Sequence, residues 1–64
     1  MRYLKSAKTI KEGRKRKGLN QRQLAKILGL SHGLISHWEK GRKRPGLEIA
    51  QRLSLVIDID VNDL

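Results

Sequence analysis

A chain of 64 residues has room for one small core, and its 38% hydrophobic and 33% charged composition describes a water-facing globule, not a membrane span. Cysteine is absent, which excludes disulfides and thiolate metal sites, and no continuous apolar run before Ile10 offers a signal peptide or a transmembrane helix. The net charge of +9 is unevenly placed, because residues 1–44 carry 14 basic side chains against 2 acidic, and residues 45–64 carry 1 against 4.

In chain order, a first helix is expected from about Ser6 to Lys17, with Ser6 as N-cap, Ile10 as the main apolar contact and Gly18 as its terminator. Asn20 then caps a second helix, Gln21 to Leu28, in which Leu24, Ile27 and Leu28 recur at helical spacing with Ala25 beside them, and Gly29 ends it. Ser31 offers a hydroxyl cap to a third helix. Its apolar residues Leu34, Ile35 and Trp38 share helical spacing, while His32, Gly33, Ser36 and His37 lie elsewhere on it. Gly41, the basic run Arg42-Lys43-Arg44 and Pro45-Gly46 make a loop. Leu47 to Ile57 follows as a fourth helix with Ala50, Leu53 and Ile57 inward, and Asp60 to Leu64 caps and begins one more turn. The run Val56 to Val61 is β-prone, but a lone strand has nothing to pair with. The expected fold is all-α, a compact bundle of four to five helices forming one domain over residues 1–64.

A cationic surface of this size attracts a polyanion through counterion release, and nucleic acid is the commonest such partner; charge alone equally suits a ribosome-associated or membrane-surface protein. The spacing is more discriminating. Two helices crossing steeply through a short turn need a small side chain at the crossing and a residue tolerant of positive φ in the turn. Ala25 stands four residues before Gly29, and Ile35 and Trp38 follow it by six and nine. A generic helical hairpin accounts for either small residue alone. The joint pattern, with Asn20 and Ser31 as caps, specifies a helix-turn-helix.

The stretch from Gly18 through Asn20-Gln21-Arg22-Gln23-Leu24-Ala25 and Gly29-Leu30-Ser31, continuing over Ile35-Ser36-His37-Trp38-Glu39-Lys40-Gly41 to Pro45 and Leu47-Glu48, resembles the phage repressor and Cro type of helix-turn-helix domain, also called the xenobiotic-response-element type. The resemblance implies that the third helix, about residues 31–39, enters the major groove while the second crosses the phosphate backbone. It implies a dimer on a partly palindromic operator, weakly associated on its own and reinforced by DNA. The base-reading positions fall on Ser31, His32, Gly33, Ser36 and His37. Backbone contacts fall on Asn20, Gln21, Lys40, Arg42, Lys43 and Arg44, and on Arg14, which also faces Glu39 as an ion-pair partner. Ala25, Gly29, Ile35, Trp38 and Glu39 carry the structural motif. Gln51, Leu55 and Asp58 depart from the pattern: Asp58 holds a turn position more often occupied by Gly or Asn, and an exposed Leu55 with Ile59 and Val61 nearby is a candidate dimer contact.

The expected function is a small, Cro-like transcriptional repressor that binds double-stranded DNA by sequence, without cofactor, metal or small-molecule ligand, in the cytoplasm at the nucleoid of a bacterial or phage-infected cell. An enzyme is disfavoured because both histidines share one helix and no metal-ligand, paired-carboxylate or nucleotide-binding Gly spacing is present. Two alternatives are an antitoxin-type protein-interaction adaptor and a basic RNA or nonspecific nucleic-acid binder. The RNA reading leaves the helix-turn-helix spacing unexplained and has only Tyr3 as a stacking aromatic outside the core.

Overall fold

Helix boundaries in this chain follow from where orphaned backbone groups find partners. The computed structural model describes residues 2–64 and contains α1 (Leu4–Arg16), α2 (Gln21–Leu28), α3 (His32–Glu39) and α4 (Leu47–Val56), closed by a 3-10 turn at Val61–Asp63. No strand occurs among the described residues; the β-prone run is the end of α4 and the turn after it.

The four α-helices end alike. Leu19 N–H donates to Arg14 O, Leu30 to Ala25 O, Arg42 to His37 O and Ile59 to Ser54 O, at 2.9–3.1 Å, each from the residue after a left-handed one. This closure satisfies the last carbonyls and turns the following side chain back towards the bundle, as Leu19, Leu30 and Ile59 show by packing on the core. Three of the left-handed positions are glycines and the fourth is Asp58, with φ of 55°. The departure noted in the sequence therefore sits where the backbone is most demanding, at a position that Asp tolerates better than most non-glycine residues.

The helix starts are less uniform. Asn20 and Gln23 form a reciprocal capping box at the start of α2, with Gln23 N–H donating to Asn20 Oδ1 at 2.7 Å and Asn20 N–H to Gln23 Oε1 at 2.8 Å. Helix α1 begins two residues earlier than predicted and Ser6 is not its cap. Its start is held by backbone: Ala7 N–H donates to Tyr3 O at 2.9 Å and Tyr3 N–H to Gly41 O at 3.2 Å. Ser6 is instead buried inside the helix, and its hydroxyl has no hydrogen-bond partner. Replacing Ser6 by Ala removes a desolvated, unpaired hydroxyl and improves helix propensity, so the variant is expected to gain about 1 kcal/mol in urea unfolding. A loss of stability would show that the hydroxyl is partnered in solution.

The core is Ile10 of α1, Leu24, Ala25 and Leu28 of α2, Ile35 and Trp38 of α3, Leu53 of α4 and Ile57 after it. Ile27, grouped with Leu24 and Leu28 in the sequence reading, is instead 52% exposed. At 100° per residue the inward arc runs from Leu24 through Leu28 to Ala25, and Ile27 falls about 100° from its middle. Gly13 lies inside α1, where glycine costs about 1 kcal/mol relative to alanine. A Cβ there would come within 2.7 Å of Ile59 Cγ2 and 3.1 Å of Ile57 Cδ1, so the glycine admits the segment after α4 against α1. Arg52 adds a further tie by donating to the Leu28 carbonyl at 2.9 Å, which fixes α4 to the end of α2.

Candidate nucleic-acid interface

The geometry of the interface begins at the α2–α3 turn. Gly29 adopts φ 70°, ψ 30°, and its N–H and that of Leu30 close α2 onto Lys26 O and Ala25 O. The chain then reverses quickly enough for Ser31, extended at φ −77°, ψ 147°, to start α3 by accepting from Leu34 N–H at 3.4 Å. Ala25 is buried in the core beside Ile35 and Trp38, as the spacing required.

Burying Ile35 and Trp38 orients the rest of α3. His32, Ser36, Gly33 and His37 follow one another around an arc of about 140° on the opposite side. His32, Gly33 and His37 are exposed, as is Ser31 at the helix start, and Ser36 is half-buried. Space around Gly33 is open, with no atom within 4 Å of where a Cβ would stand. Thus all five residues assigned to base reading lie at the start of α3 or on its outward side.

A chain of hydrogen bonds runs from the interior to this side. Arg14 Nε donates to Glu39 Oε2 at 2.6 Å, its Nη2 to Glu39 Oε1 at 2.8 Å, and its Nη1 to the Leu19 carbonyl at 2.9 Å. Both side chains of the pair are at most 10% exposed. The hydrogen bond to Glu39 raises the Arg14 pKa above its ordinary value, against a smaller opposing effect of burial. Gln21 Nε2 donates to the same Glu39 Oε1 at 3.2 Å, and Gln21 Oε1 lies 3.2 Å from His32 Nε2. The carboxylate can only accept, so the Gln21 amide must turn its NH2 to Glu39 and its oxygen to His32. In the neutral ring this places the imidazole proton on Nε2 and leaves Nδ1 as an acceptor. Every guanidinium nitrogen of Arg14 is thereby occupied within the fold, unlike those of the basic loop.

That loop lies directly after α3. Lys40, Arg42, Lys43 and Arg44 are exposed, and none forms an ion pair among the described residues. Asn20 and Gln21 sit at the start of α2, where the amides of Gln21 and Arg22 lack helical acceptors and favour an anion. Acidic side chains gather elsewhere: Glu12, Asp58, Asp60 and Asp63 line one groove between α1 and the C-terminal turn. The described residues hold no group of three or more His, Cys, Asp or Glu able to bind a metal, and no helix long and apolar enough to cross a membrane.

Sequence reasoning missed the Gln23 half of the capping box, which the Asn20-x-x-Gln23 spacing signals, and the Arg52 tie, which has no local signal. It placed Leu55, Ile59 and Val61 together as a candidate contact. Only Leu55 is fully exposed, at 85%, whereas Ile59 packs against Gly13 and the core.

A family model described as helix-turn-helix matches residues 10–64. The chain is 40% identical over 55 residues to the ImmF control region 10 kDa protein of Bacillus phage phi105, covering 86% of this chain and 61% of that protein. The chain thus spans about three fifths of the phage relative's length. It is 34% identical over 55 residues to an uncharacterized HTH-type transcriptional regulator of Archaeoglobus fulgidus, covering 86% and 79%. Among solved structures, the restriction-modification controller protein C.AhdI from Aeromonas hydrophila superposes with a TM-score of 0.82 at 28% identity over 95% of this chain and 92% of that one. The FeII form of HppE in complex with substrate gives a TM-score of 0.85 at 22% identity over 34% of its own chain, a likeness of fold alone.

Proposed function

The chain belongs to the helix-turn-helix family of the phage repressor and Cro type, and on that premise we propose that it is a single-domain, sequence-specific regulator of transcription that reads duplex DNA with α3. The observation that carries this reading is the exposed arc of His32, Ser36, Gly33 and His37, backed by buried Ile35 and Trp38 and bordered by four unpaired cations. The cationic surface draws the protein to the duplex. Main-chain amides at the start of α2, with Asn20 and Gln21, and the loop residues Lys40, Arg42, Lys43 and Arg44 take phosphates and set the register, while Ser31, His32, Gly33, Ser36 and His37 meet base edges.

The protein acts by occupying DNA rather than by catalysis, in the cytoplasm, and represses by occlusion. Arg14 is left out of the phosphate set because its guanidinium is spent on Glu39 and Leu19. A weak dimer, strengthened on an inverted repeat, places two α3 helices about 34 Å apart. Leu47 and Leu55, eight residues apart on α4 and 74% and 85% exposed, support self-association through that helix.

Selection from a pool of random duplexes at two salt concentrations tests the reading. Enrichment of a short inverted repeat with a steep salt dependence is expected. Salt-sensitive binding with no enriched sequence, or equal affinity for RNA, overturns it. The Gly33→Ala variant supplies a second check. With open space at the added methyl, the free protein is expected to gain up to about 1 kcal/mol of stability in thermal unfolding. Affinity for the selected site is expected to fall, because the methyl occupies room that a base edge uses. Unchanged affinity would remove Gly33 from the interface.

A further inference from the structure

The basic loop after α3 does not stand alone. Tyr3 N–H donates to Gly41 O at 3.2 Å, and Leu4 Cδ2 lies 3.5 Å from a Cβ position at Gly41, so Tyr3 and the start of α1 are fastened to the exit of α3. Two guanidiniums converge on the Tyr3 ring, with Cζ of Arg2 at 5.7 Å and Cζ of Arg44 at 5.5 Å from its centroid. Neither has a carboxylate partner among the described residues, and the two like charges repel across the ring. They border a groove that Lys5 and Asn62 also line. Ser6 lies in the same groove, with the one buried side-chain polar atom that lacks a hydrogen-bond partner among the described residues. Asp63 lines the groove as well, but its carboxylate is engaged by Lys5 at 3.4 Å and forms no ion pair with Arg2 or Arg44. Two guanidiniums gathered against one aromatic without a carboxylate of their own, in a groove that also holds an unpartnered hydroxyl, describe a site with room for a further anion.

We propose that Arg2 and Tyr3 complete a phosphate-binding site with Arg44 of the loop, which takes a backbone phosphate of the duplex outside the bases that α3 reads. This rests on the DNA-binding function above and extends it to residues before α1. The Tyr3 ring aligns the two guanidiniums, and the Tyr3–Gly41 bond makes the site move with the loop, so the phosphate it holds is set at a fixed offset from the recognition helix. The contact carries no base information and lengthens the footprint.

The test compares wild type, Arg2→Ala, Tyr3→Ala and Tyr3→Phe on the selected duplex over a range of salt concentrations. Arg2→Ala, at an exposed position, is expected to reduce the slope of log K against log salt by about 0.9, the value for one phosphate, and to lower affinity equally on all sequences. Tyr3→Phe keeps the ring and the wild-type slope, whereas Tyr3→Ala lowers the slope at least as far as Arg2→Ala. A wild-type slope in Arg2→Ala, with sequence preference intact, overturns this site and leaves the DNA-binding reading standing. A wild type without DNA affinity overturns both. Inorganic phosphate titrated against the Arg2 and Arg44 side-chain NMR signals separates the sources of the anion: saturation at low millimolar phosphate with an unaltered DNA slope would assign the groove to a small anion and reject the duplex contact.

Discussion

Glu39→Ala is expected to cost about 3–5 kcal/mol, enough to leave a domain of this size largely unfolded at 37 °C. The size of the effect follows from what remains. Glu39 takes two charged hydrogen bonds from Arg14 and one from Gln21, and the pair is nearly closed to water. Without the carboxylate, Arg14 keeps only the Leu19 carbonyl and holds a charge in a site built to neutralise it. The pair need not be worth that much itself, because its desolvation offsets most of its attraction. The double variant Arg14→Met, Glu39→Leu separates the two quantities and is expected to recover most of the loss. Urea unfolding followed by Trp38 fluorescence and far-UV dichroism gives both values. A single-variant loss below about 1 kcal/mol would mean the pair behaves like an exposed surface bridge.

Legibility in the sequence tracked the range of the interaction. The ends of the helices were readable because Gly18, Gly29, Gly41, Asn20 and Ser31 act within a few residues of themselves, and even the anomaly at Asp58 was visible as a wrong residue at a known turn. The inward sets of α3 and α4 were readable from spacing alone. Errors arose where a distant segment decided the outcome. Ser6 looks like a cap until Gly41 is seen to hold the residue before α1. Ile27 was misplaced because i, i+3, i+4 spacing admits either edge of a narrow inward face. The candidate site divided likewise: the positions of His32 and His37 followed from the pattern, and the Glu39–Gln21–His32 chain joining His32 to the core did not.

That chain governs the second large effect. His32→Ala is expected to lower discrimination at one base pair of each half-site by about 1–3 kcal/mol, while binding to unrelated duplexes stays near the wild-type level. The asymmetry arises because an imidazole fixed by Gln21 presents one defined edge: Nε2–H is directed to Gln21 Oε1, so Nδ1 is offered to a base donor, such as the amino group of adenine or cytosine. Gln21→Ala leaves the ring in place but frees its rotation and tautomer, and is expected to lose part of the same discrimination at the same base pair. Because both substitutions remove one device, their effects should not add; the double variant should discriminate no worse than His32→Ala within about 0.5 kcal/mol. Arg42→Ala provides the contrast, with a uniform loss of affinity and a salt slope reduced by about 0.9. Measuring all four proteins on the selected site and on its single-base variants decides the matter. Additive losses of discrimination from Gln21 and His32 would mean that Gln21 contributes to base reading independently of His32, and a uniform loss from His32→Ala would make that histidine a backbone contact, moving the reading of bases along α3 to Ser36 and His37.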